Sequence, residues 1–158
     1  MKRYFRVETR WLALVVDPTE ELALDDALLD AGHSLVDALR WQDVRTGLYD
    51  LRLGAGPLEA LATRVLRTRP VRLLAVEGLV PFEWSSRFGS STLEAAMARL
   101  PGFTPTERGP WRFFGQAGLT ASFEAPGLSV FGVVSEADWA AWLAAFEREA
   151  SGWPVRWA

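Results

Sequence analysis

Leu12–Val16 is an uninterrupted apolar run, the pattern of a strand buried on both faces. Asp17-Pro18-Thr19-Glu20 follows, with an N-capping Asp, Pro at the first helical position and Glu at the third, so a helix starts here. Leu24, Ala27, Leu28 and Ala31 then recur at helical spacing until Gly32 supplies a stop. The pattern predicts that Ser34–Trp41 returns as a strand. Residues 48–53 alternate, with Tyr49, Leu51 and Leu53 on one face and Leu48, Asp50 and Arg52 on the other, as a half-buried strand does. Gly54-Ala55-Gly56-Pro57 turns that strand into a helix lined by Leu58, Leu61, Ala62 and Val65 and closed by Arg69-Pro70. Val71–Val76 is the next strand. The order from residue 11 to 77 is β-α-β-β-α-β, the connectivity of a ferredoxin-like split βαβ unit.

Gly78 to Ser90 reads as the longest irregular stretch. A capping box at Ser91-Thr92-Leu93-Glu94 then starts a helix with Leu93, Ala96, Met97 and Leu100 inward, ended by Pro101-Gly102. Trp111–Phe114, Leu119–Ala125 and Leu128–Val134 read as a three-stranded meander, the last strand apolar on both faces and therefore central in its sheet. Ser135-Glu136-Ala137-Asp138 begins the final helix, where Trp139, Trp142, Leu143 and Phe146 fall at i, i+3, i+4 and i+7. Trp153–Trp157 closes the chain as an edge strand. The expected fold class is α+β, with a ferredoxin-like βαββαβ first half and a second mixed sheet-plus-helix half. Residues 4–41 and 119–157 share one order of elements. One compact domain over 1–158 is expected, and two pseudo-equivalent halves, 1–78 and 90–158, remain open within it.

Composition narrows the class. The chain has 158 residues, 49% hydrophobic and 23% charged, with net charge −3 and no cysteine. That excludes a disordered tail, a fibrous rod and a disulfide scaffold, and it removes thiol catalysis and iron–sulfur ligation. Every basic residue except Lys2 is Arg, which with the abundance of Ala and Leu reads as a bacterial-like genome bias. Charges interrupt Met1–Glu8, so no signal-peptide core is present there. No run approaches the roughly eighteen apolar residues of a membrane span, so the expectation is a cytoplasmic protein with no membrane partner. The signs are interspersed, which argues against nucleic acid. Three of the basic cluster Arg64, Arg67, Arg69 and Arg72 fall in or just beyond the last turn of a predicted helix, where cations are favoured, so the cluster is assigned to that terminus.

Candidate chemistry is sparse. The single histidine, His33, follows a helix stop and is assigned to the helix dipole. No G-x-S-x-G turn and no metal-ligand spacing occur. Asp25, Asp26 and Asp30 face away from their apolar stripe. Glu77 and Glu83, at a strand end and in the loop after it, are better placed. Trp139 and Trp142 are assigned to the core by their spacing. Phe82, Trp84 and Phe88 alternate with Glu83, Ser85, Ser86 and Arg87, the composition of a binding hot spot, and Phe82, Trp84 and Arg87 are the candidate partner-binding residues. The alternative is a loop folded over a sheet with its aromatics inward.

Arg52-Leu53-Gly54-Ala55-Gly56, after a strand and before a helix, resembles the R/Q-x-x-G-x-G/A pyrophosphate loop of GNAT acyltransferases. Leu93–Phe103, ending Leu100-Pro101-Gly102-Phe103, is similar to the helix and "G-F" turn of that family. The resemblance spans about residues 47–125 and implies acyl-CoA binding at Arg52, Gly54 and Gly56. Ala98 stands where the family has a tyrosine, the N-terminal part is one strand short, and no acyl-acceptor base is identifiable.

The functional expectation is a non-catalytic intracellular binding protein of the inhibitor, immunity or adaptor kind, recognising a protein or small ligand with no cofactor and no metal. The alternative is an acyl-CoA-dependent transferase or a degenerate acyl-CoA-binding relative. A nucleic-acid-binding sheet ranks last, because the 49, 51, 53 face offers one aromatic among aliphatics. Oligomeric state is left open.

Overall fold

The computed structural model describes residues 2–44, 46–83, 88–107, 109–115, 118–124 and 127–156, apart from the side chains of Arg10 and Trp11. Its fold is α+β, with antiparallel strand pairs and five α-helices among the described residues. The chain divides into two compact units. One comprises Arg10–Leu73, the other Met1–Thr9 with Leu74–Ala158.

The Arg10–Leu73 unit holds most of β1 (Phe5–Val16), α1 (Glu21–Asp30), α2 (Leu35–Ala38), β2 (Leu39–Asp43), β3 (Leu48–Leu51), α3 (Ala55–Arg64) and the start of β4 (Thr68–Pro81). Its strands lie in the order β2-β3-β1-β4. Asp17 caps the turn into α1, its carboxylate accepting from the Thr19 amide at 3.0 Å and hydroxyl at 2.7 Å, which holds the carboxyl below its ordinary pKa. Gly32, at φ +86°, supplies the stop, a conformation that favours glycine. Leu14 and Val16 of β1, Tyr49 and Leu51 of β3, Leu24 and Leu28 of α1, and Leu58 and Leu61 of α3 form one core.

Three sequence expectations are corrected in this unit. Ser34–Ala38 is not strand. The Ser34 hydroxyl accepts from the Asp37 amide and starts the short α2, so β2 begins only at Leu39. Helix α3 ends at Arg64 rather than at Arg69-Pro70. Arg67 takes φ +57°, and Pro70 sits near the start of β4, where a missing N–H is tolerated. Strand β3 is buried along its whole length instead of on one face.

The other unit contains the start of β1, the rest of β4, α4 (Ser90–Met97), β5 (Phe103–Thr104), β6 (Trp111–Phe113), β7 (Leu119–Glu124), β8 (Gly127–Ser135) and α5 (Glu136–Glu149). Its strand order is β1-β4-β8-β7-β6-β5, so β8 is central as its two apolar faces predict. The meander has four strands, because the short β5 pairs with β6. At Gly127 the backbones of β8 and β4 approach so closely that a Cβ would collide with Val80. Helix α4 starts at Ser90 after Gly89, without the expected side-chain cap. Its inner face, Leu93, Ala96, Met97 and then Leu100, is as spaced in the sequence. Ser135 caps α5 by accepting from the Asp138 amide.

The predicted irregular segment 78–90 is shorter than expected. Strand β4 runs on to Pro81, and Phe82 bridges to Val155. Glu83 donates its amide to Pro154 and Arg156 donates to Pro81, so among the described residues the C-terminal segment meets the end of β4 as one bridge. The core of this unit is aromatic. Trp142 stacks on Phe146 with ring centroids 4.9 Å apart and on Trp139 at 5.6 Å, while Phe5 and Phe113 meet its edges. Arg99, just beyond α4, grips Glu149 of α5 through two hydrogen bonds of 2.9 and 2.8 Å, which lowers the Glu149 pKa.

Candidate functional site

Two features in the described residues lie outside ordinary core and surface, one in each unit. The first is a groove along α5. Glu136 and Glu147 line it, eleven positions and hence about 16 Å apart along the axis of one helix. Lys2 adds a single cation to the lining. Val7, Ala140 and Ala144 line the walls, and Phe5, Leu74, Trp139 and Leu143 form the floor. The cavity measures about 590 Å³, within the range of binding clefts. The helix pattern explains the floor. Trp142 and Phe146 are wholly buried, whereas Phe5, Leu74, Trp139 and Leu143 keep 7–9% exposure and Val7 keeps 39%. Core side chains therefore surface here as a connected apolar strip, with small alanines beside them leaving the strip open.

The second feature is Asp50, the one charged side chain buried among the described residues, with no exposed surface at all. Tyr49 and Leu51 turn toward the helix-packed core, so Leu48 and Asp50 occupy the opposite face of β3. The β2–β3 register pairs Leu39 with Leu51 and Trp41 with Asp50, which makes Arg40 the extra residue of a β-bulge. The bulge brings Arg40 Nη1 to 3.8 Å from the carboxylate, close enough for charge attraction and too far for a hydrogen bond. Neither oxygen of Asp50 accepts a hydrogen bond from a described residue. Burial pushes its pKa up to about 6, against the opposing pull of Arg40 and Arg52. Burial likewise raises Tyr49, helped by the neighbouring Glu21 carboxylate.

The sequence-derived candidates fall elsewhere. Phe82 is buried, its ring 5.3 Å from Phe88 and 5.5 Å from Trp153, so these two aromatics of the predicted loop point inward and serve the core. Trp84 and Arg87 lie outside the described residues. Arg52 follows β3, exposed, and its amide donates to Ala38; Gly54 caps the start of α3, and Gly56 stands in its first turn with open space around it. Glu77 and Glu83 are exposed and are not drawn into a shared site, and His33 is exposed after α1. Among the described residues no group of three or more acidic or histidine side chains is placed to hold a metal ion, and no helix is long and apolar enough to cross a membrane.

Neither the groove nor the buried acid was assigned from sequence. The groove joins the first strand to the last helix, which no local pattern links. Asp50 fell on the solvent side of an alternating strand, and the signal against that was the apolar β1, which pairs beside β3 as β2 does on its other edge. No protein-family model matches the chain, and searches of curated proteins and of solved structures find no similar protein.

Proposed function

We propose that this chain is a non-catalytic binding protein whose α5 groove takes a segment of a partner protein bearing apolar side chains flanked by Lys or Arg. The observation that carries the proposal is the apolar strip of Phe5, Val7, Leu74, Trp139 and Leu143 ending in carboxylates on one helix. Apolar burial would supply the affinity, and Glu136 and Glu147 would select basic flanks and set the register. Glu136 and Glu147 stand about 16 Å apart along the α5 axis, whereas the two carboxyl groups of a glycosidase lie roughly 5–9.5 Å apart, which supports recognition rather than that chemistry. The Arg10–Leu73 unit is read as ferredoxin-like, supported by the strand order β2-β3-β1-β4 and the antiparallel β1–β3 and β2–β3 pairs.

A phage-displayed library of random short peptides, panned on the purified chain, tests the reading. Enriched peptides are expected to combine apolar and basic residues. They should bind the exposed-wall variant Ala144→Glu at least about tenfold more weakly, since that change sets a charge against the apolar strip. Failure to enrich any sequence, or peptides that bind Ala144→Glu as tightly as the parent, would overturn it.

A further inference from the structure

Asp50 combines three observations that are independent of any titration value. It is fully buried, its two oxygens accept no hydrogen bond from a described residue, and it stands opposite a bulge in β2, the outermost strand of the order β2-β3-β1-β4. A carboxylate in such a place is expensive unless hydrogen-bonded, whereas the neutral acid costs far less. The charged groups acting on it are Arg40 from β2 and Arg52 from the segment after β3. From β1 the same register sets the buried Ala13 opposite, which brings no charge. The bulge is also where the β2–β3 ladder is interrupted, so the costly charge and the weakest point of the pairing coincide.

We propose that Asp50 is a proton-controlled latch on β2: with the carboxyl neutral β2 lies closed on β3, and on ionisation β2 parts from β3 at the Arg40 bulge, admitting water and letting Arg40 close on the carboxylate. One proton leaves Asp50 for solvent as the strand opens. The closed state binds that proton more tightly than the open state does, so acid tightens the strand and base loosens it. The raised pKa agrees with this direction.

Amide hydrogen exchange of Trp41 and Asp43, the β2 residues paired with Asp50 and Leu48, measured by NMR on the full chain and corrected for the intrinsic rate at each pH, reads the latch. Protection of these amides is expected to fall by up to about a hundredfold between about pH 4 and pH 6 and to level off above that. Asp50→Asn should hold it flat, and the amide of Val130 in β8 should not follow the transition. The carboxyl ¹³C shift of Asp50 in the parent chain provides a second reading that needs no variant to fold. Titration of that carbon in the ordinary carboxylate range would overturn the proposal. So would β2 protection that is independent of pH, or that changes equally in Asp50→Asn.

Discussion

Trp142→Ala is expected to cost about 3–5 kcal/mol in a denaturant titration, the range for removing a large aromatic from a packed core. The ring has no exposed surface, stacks between Trp139 and Phe146, and receives the edges of Phe5 and Phe113, so its loss would leave a cavity that four other rings line. Trp142→Phe should behave very differently. The indole Nε1 is buried without a hydrogen-bond acceptor among the described residues, and removing an unsatisfied donor returns part of what the smaller ring loses. A cost below about 1.5 kcal/mol is expected for Phe. If Phe costs as much as Ala, the indole nitrogen has a partner and this account of the core is wrong.

The second large effect has the opposite sign. Asp50→Asn is expected to stabilise the chain at neutral pH by up to about 3 kcal/mol, because the amide matches the neutral acid in shape and charge. The sign follows from the raised folded pKa of about 6 against an unfolded value near 4. Between these values the folded chain holds a proton that the unfolded chain has released, so stability falls as pH rises from about 4 to 6 and stays low above. Urea titrations of parent and variant across that window should coincide at the acid end and diverge toward neutral pH. Curves that run parallel throughout would mean that Asp50 is ionised when folded and already stabilised by contacts.

What the sequence made legible was local. The Ser135 cap, the Gly32 stop and the Trp139, Trp142, Leu143, Phe146 stripe each depend on residues within one or two turns and are found as read, while Asp17 caps the 3₁₀ turn Pro18–Glu20 that leads into α1 rather than α1 itself. Ser34 shows how close competing local structures lie. Leu35 and Val36 fit a strand, yet one hydroxyl-to-amide bond tipped the segment into a helical turn. Pairing between distant segments was not legible. Strand β4 continues through Gly78, where a Cβ would strike the Tyr4 carbonyl and Phe5, so the glycine read as a loop marker permits a close crossing of two strands. The alternation of 48–53 was correct in period, but its polar face is closed over by tertiary structure, which turned an expected surface acid into the buried Asp50. Composition leaves two readings of the aromatic segment after β4, a binding hot spot and a loop with its aromatics inward, because it does not distinguish Phe82 and Phe88 packed on Trp153 from the same rings offered to a partner.

The recognition role of the α5 groove is tested most directly by methyl NMR on the selectively labelled chain, titrated with a synthetic peptide of alternating Leu and Lys clusters. The methyl signals of Val7, Ala140, Leu143 and Ala144 are expected to shift together and saturably, while those of Leu24, Leu28 and Leu58 in the other unit stay in place. Saturable shifts centred away from the groove, or none at any peptide concentration, would contradict it.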